Sequence, residues 1–256
     1  IIDLCQKLDK YGHHLSPEDL KADPYCSLIP DLNENSVSGV INSIINKIRK
    51  SMVQDRDQVI YHTGPHHDDI MLGMMPHTNR QVRVATNQIH FTVLTSGFTA
   101  VTNRFIIEVL KDTQKFISAG KIEMLRFPDF FSAGYSLKLN KDVYHFLDNV
   151  AARNNEEKSR GLCHRVVRSI VDIFKVKDKD SLVRTIDSVI KTLENSYDGS
   201  INPPEIQKLK GMIREFEEEL VWAHFGVSVE NVHHLRLGFY KGETFTENPE
   251  KERDML

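Results

Sequence analysis

Gln58-Val59-Ile60-Tyr61-His62-Thr63-Gly64-Pro65-His66-His67-Asp68-Asp69 is the stretch whose reading decides the fold. Its first half is rich in β-branched and aromatic residues and stops at Gly64-Pro65, the punctuation of a buried strand giving way to a loop. Downstream, Ile70 to Met75 offers an apolar face that opens a helix before Pro76. Gln88 to Thr95 repeats the strand pattern and ends at Ser96-Gly97. The helix that follows, Asn103 to Gln114, carries Phe105, Ile106, Val109 and Leu110 on one face. Two strand-loop-helix units in succession predict an α/β fold, a Rossmann-like parallel sheet with flanking helices.

Working outward, Val40, Ile41, Ile44, Ile45 and Ile48 recur at helical spacing, so a helix over Val37 to Met52 leads into the first strand. Roughly Asp142 to Glu219 is charged and helical in period, interrupted at Tyr197-Asp198-Gly199-Ser200 and Asn202-Pro203-Pro204. This reads as a helical insertion over about 142–204. A helix resumes from Glu205 to Phe225, and Asn231 to Leu237 is a third strand. Residues 1–33 mix short apolar pairs with Gly and Pro breaks, and read as a linker or extension. Residues 34–256 are then the α/β domain. Ile1-Ile2-Asp3-Leu4 begins in helical phase without an initiator methionine, which suggests a fragment.

With 256 residues and 40% hydrophobic content, the chain can fill a sizeable core. A formal charge of -3 gives no general attraction to nucleic acid or to an anionic membrane, which leaves small-molecule chemistry. Cys5, Cys26 and Cys163 are far apart and odd in number, so neither a disulfide framework nor a thiolate metal site is suggested. A cytoplasmic protein is expected. No stretch approaches the roughly 20 apolar residues of a membrane span.

Pro65 to Asp69 packs two imidazoles and two carboxylates into a loop at the carboxyl end of a strand, the edge of an open α/β sheet where ligands bind. A catalytic zinc takes about three protein ligands from His and carboxylates and leaves a position for water. His66 and Asp69 supply two such ligands, and Asp68 between them is a general base able to take the proton of attacking water. The competing reading is that the cluster caps the following helix.

The segment Pro65-His66-His67-Asp68-Asp69-Ile70-Met71-Leu72-Gly73 resembles the first motif, P-H-P-D-D-E-x-x-G, of the LmbE-like or PIG-L family of zinc-dependent N-acetylglucosaminyl deacetylases. The resemblance implies that His66 and Asp69 bind zinc, that Asp68 is the catalytic base and that the substrate is an N-acetylated amino sugar. His67 stands in place of the usual proline and Ile70 in place of the usual acid. Thr95 to Asn103, Ile213 to Val227 and His234 to Tyr240 resemble a subgroup described as glucosamine-6-phosphate deaminase-like. In that subgroup such a domain follows a sugar-phosphate isomerase-type domain, so residues 1–33 would be the linker from it.

The family's later D-P-x-G-x-x-H segment, source of the third ligand, has no match here, and the domain reads as incomplete at its carboxyl end. His233 and His234 are candidate substitutes, of which alternation in a strand aims only one at any given face, and His234 is taken as the substitute ligand. The alternative is a catalytically silent sugar-binding or regulatory module. Ser96 and Arg104 are candidates for substrate hydroxyls or a phosphate, against ordinary loop and helix-surface roles. His62, His90, His145, His164 and His224 read as packing or surface groups. The run Glu215-Phe216-Glu217-Glu218-Glu219 reads as a solvated helix face, and Met71, Met74 and Met75 as core filler.

Overall fold

Residues 1–55 carry a small core of their own. Helix α1 (Ile2–Leu8), helix α2 (Pro17–Ala22) and helix α3 (Ser36–Met52) contribute to it or flank it. Ser16 and Asp19 form a reciprocal capping box at the start of α2, satisfying two otherwise orphaned backbone donors. Leu4, Leu15, Leu20 and Val37 are buried together, with Ile41 packed against them. The compact unit runs to Asp55, because α3 gives its Val37 and Ile41 to the same core as the preceding short helices. The computed structural model describes residues 1–33, 35–197 and 199–237, together with the backbone at 240–241 and 244–245.

The second unit begins at Arg56. Its elements run β1 (Val59–Gly64), α4 (Asp69–Val82), β2 (Gln88–Val93), α5 (Asn103–Ser118), α6 (Leu139–Ala151), α7 (Asn155–Phe174), α8 (Lys179–Glu194), α9 (Pro204–His224) and β3 (Val232–His234). A short antiparallel pair follows, β4 (Tyr240–Lys241) with β5 (Thr244–Phe245). The three longer-range strands make a parallel sheet in the order β1-β2-β3, with Tyr61 opposite His90 and Thr92 opposite His233. The fold is α/β.

Period-two alternation sorts the strand residues into two faces. Ile89, Phe91 and Val232 turn inward onto Ile70 of α4 and Trp222 of α9, where Phe91 stacks on Trp222 at 3.7 Å. On the other face Val59 and Tyr61 are exposed, and Tyr61, His90 and His233 form a ladder of stacked rings across all three strands.

Two expected boundaries move. Helix α4 runs through Pro76 to Val82. Pro76 deprives the carbonyl of Leu72 of its usual donor, and Leu72 is 81% exposed, so water can serve that carbonyl. Strand β3 is shorter than expected, because Arg236 takes a left-handed backbone (φ 55°) that a regular strand cannot hold. The N–H groups of Leu235 and Leu237 still donate to Val93 and Leu94 at 3.0 and 2.8 Å, so the chain stays fastened beside β2.

The helices between β2 and β3 form the larger core of the unit. Ile106 and Leu110 of α5, Val167 and Ile170 of α7, Leu182 and Ile186 of α8, and Leu209 and Ile213 of α9 pack as one cluster. Side-chain caps at Thr102, Asn154 and Asp178 start α5, α7 and α8. No described helix is long and apolar enough to cross a membrane.

Candidate functional site

The ends of β1, β2 and β3 converge on the carboxyl edge of the sheet, and backbone hydrogen bonds fix their loops to one another. Leu94 donates to the carbonyl of Gly64 at 3.0 Å. The N–H and hydroxyl of Thr95 both donate to the carbonyl of Pro65, at 3.1 and 2.7 Å. Asp68 is the N-cap residue of α4, yet its side chain makes no capping hydrogen bond. Capping therefore does not account for its carboxylate.

Asp69 opens α4 and its Oδ2 accepts the backbone N–H of His66 at 2.8 Å. The same oxygen lies 3.4 Å from His66 Nδ1, and both side chains are more than two-fifths exposed. Zinc–ligand bonds of about 2.0–2.2 Å at a tetrahedral angle set two donors roughly 3.3–3.5 Å apart. His66 and Asp69 thus fit two neighbouring corners of a metal site. Among the described residues, no group of three or more His, Cys, Asp or Glu side chains is arranged to hold an ion.

His67 points the other way, into the protein. Its ring is only 2% exposed and lies beneath Gly97, where an added Cβ would fall 2.7 Å from Nδ1. Gly97 has φ +60°, so the loop after β2 closes over the imidazole at a position that glycine alone fills without strain. The other face of the ring stacks on His234 at 5.8 Å. Both nitrogens of both rings lack a hydrogen-bond partner among the described residues. Burial first, then the neighbouring His234 and Arg214, push the His67 pKa down to about 4, so the ring is neutral at neutral pH. The structure thus brings His234 to His67 and to Glu219, whose Oε1 is 3.6 Å from His234 Nε2. It does not assemble His234 with His66 and Asp69 into a three-donor group.

The acidic run on α9 is not a solvated face. Glu215, Glu218 and Glu219 are buried. They share one helical face with Trp222, and each has a designated partner. Glu215 accepts two hydrogen bonds from Arg236, at 2.5 and 2.9 Å. Glu219 pairs with buried Arg165 of α7. Glu218 accepts from Trp222 Nε1, while its Oε2 has no described partner. Burial raises the Glu218 carboxyl to about 7, the negative charge of Asp68 adds to the rise, and the Trp222 bond and Arg214 oppose it. An acid that titrates near neutral pH thus sits within electrostatic reach of Asp68.

Of the remaining candidates, Ser96 lines a cavity at the strand ends together with Arg236. Arg104 does not line it: its side chain is 88% exposed on α5 and ion-paired with Glu108. His62 is a satisfied core residue, 2.8 Å from Gln81 Oε1. Met71 and Met75 pack on the sheet core, whereas Met74 is exposed. The reading of the sequence missed Arg214, Glu215, Glu218 and Arg236 as site residues. Its usable signal was the spacing of Glu215, Glu218, Glu219 and Trp222 at i, i+3, i+4 and i+7, which binds the acids to the face of a large apolar ring.

Comparison of the chain with protein-family models, with curated proteins and with solved structures gives no match.

Proposed function

We propose that this chain is a metal-dependent amide hydrolase of the LmbE-like class, built on a Rossmann-like sheet, that deacetylates an N-acetylated amino sugar or its conjugate. The observation that carries the reading is the 3.4 Å approach of His66 Nδ1 to Asp69 Oδ2 at an open strand end, with Asp68 between them in sequence. Zinc held by His66 and Asp69 would supply Lewis-acid polarisation of the scissile carbonyl and make water more acidic. Asp68, which has no capping bond, accepts the proton of the attacking water on its carboxylate and returns it to the leaving amine. Glu218, raised to about 7, can hold a proton near Asp68 on a carboxyl whose Oε2 has no partner among the described residues. The buried, neutral His67 ring, stacked on His234, forms a floor under the loop. Three cysteines, odd in number and all free, support a cytoplasmic setting.

The test is acetate release from N-acetylglucosamine conjugates in zinc-supplemented buffer, comparing the wild type with Asp68→Asn. Loss of the general base should lower the rate by about 10²–10⁴-fold. An unchanged rate would remove Asp68 from the mechanism.

A further inference from the structure

Flanking Gly97, which lies over His67, a cavity of about 380 Å³ opens between the loop after β2, the first turns of α9 and the chain after β3. Its wall includes Ser96, Phe98, Gln207, Lys208, Arg236 and Leu237. Gly211 keeps the cavity tight, since a Cβ there would approach Ser96 Cβ to 3.2 Å. Arg236 is built in at a cost: its left-handed backbone is unfavourable for a side chain other than glycine, and such conformations gather at ligand sites. Buried Glu215 takes Nε and Nη2 of that guanidinium in a two-point contact. Arginine has five N–H donors in a rigid fork, so the contact fixes the plane and leaves donors for a ligand, and 57% of the side chain remains exposed. Lys208 adds a second positive charge. Lys175, also in the wall, is already paired with Asp172 at 3.0 Å. Cations exceed acids in this wall by one.

We propose that this cavity receives an oxyanion substituent of the substrate, a phosphate or a carboxylate, with Arg236 as the recognising group and Lys208 as the supporting charge. Phe98 and Leu237 offer apolar surface to the body of the ligand. The inference rests on the hydrolase reading only for placing the amide at His66 and Asp69. The cavity itself uses none of the metal-binding side chains.

The experiment is calorimetric titration of the whole chain in chelator-containing buffer with three probes: N-acetylglucosamine, N-acetylglucosamine 6-phosphate and glucuronate. At least one anionic probe should bind about tenfold or more tightly than the neutral sugar, consistent with charge-assisted hydrogen bonds. Which of the two does so identifies phosphate or carboxylate. Lys208→Gln, at an exposed position, should shrink the preference, and Arg236→Gln should abolish it. Because Arg236→Gln strands buried Glu215, Arg236→Lys serves as the folded companion and should bind the anion more weakly through loss of the fork. Equal binding of all three probes by the wild type, or a preference untouched in both Lys208→Gln and Arg236→Lys, overturns the proposal. Binding is read without metal, so a failed deacetylase assay and a failed cavity are separate outcomes.

Discussion

Gly97→Ala probes the closure of the β2 loop over the site. Gly97 sits at φ 60°, ψ 16°, and a Cβ in the left-handed region costs about 1–2 kcal/mol. That Cβ would also lie 2.7 Å from Nδ1 and 3.0 Å from Cε1 of His67. The ring is buried and backed by His234, so it cannot step aside freely, and overpacking of this kind costs about 1–3 kcal/mol. The substitution should therefore destabilise the protein by about 2–5 kcal/mol. In a His67→Ala background the clash disappears and only the backbone cost of about 1–2 kcal/mol remains. A double-mutant cycle should then return a coupling of about 1–3 kcal/mol. Urea unfolding followed by the fluorescence of Trp222, the chain's single tryptophan, supplies the numbers, because that ring is buried against Phe91. A coupling near zero, or a neutral Gly97→Ala, would refute the loop placement.

Stability should also depend on pH in two opposing ways. Burial holds His67 and His164 down to about 4. Between about pH 6.5 and 4 the unfolded chain binds protons that the native one refuses, so stability falls as pH falls, by up to about 3 kcal/mol per ring. Glu218, raised to about 7, acts in reverse: above about 4.5 the unfolded chain releases a proton that the native one keeps, so its contribution declines as pH rises toward 7. Urea titrations from pH 5 to 7 should show a steeper rise of stability with pH in Glu218→Gln than in the wild type; identical slopes would contradict the buried acid. Arg168→Leu should cost about 3–5 kcal/mol in the same assay. It strands buried Asp142 and removes the donor to the carbonyls of Gly134, Tyr135 and Leu137. A loss below about 1 kcal/mol would argue against that network.

Much of the architecture was legible because it follows from local pattern. The β-branched run before Gly64-Pro65 and its repeat before Ser96-Gly97 announce β1 and β2, and the apolar spacing in α3 and α5 fixes those helices to within a few residues. The loop chemistry of His66, Asp68 and Asp69 was equally local, and the His66 and Asp69 side chains approach to 3.4 Å. What failed was tertiary. An acidic run has the same composition whether it faces water or a set of arginines, and only the packing of α9 against α7 and the chain after β3 makes Glu215 and Glu219 interior residues. Arg104 and Arg236 look alike as letters. One lies on an open helix surface, while the other is clamped by a buried carboxylate. His67 reads as a substituted motif position, and nothing local reveals its stacking on His234, some 170 residues away in the chain.

The central claim is that His66 and Asp69 are metal donors, and zinc binding by equilibrium dialysis with elemental analysis tests it most directly. One zinc should bind per wild-type chain. Affinity should fall by about tenfold or more in Asp69→Asn and in His66→Ala, while Arg104→Ala, on the open face of α5, should bind as the wild type does. Absence of bound zinc in the wild type, or binding indifferent to Asp69→Asn and His66→Ala, would contradict the account.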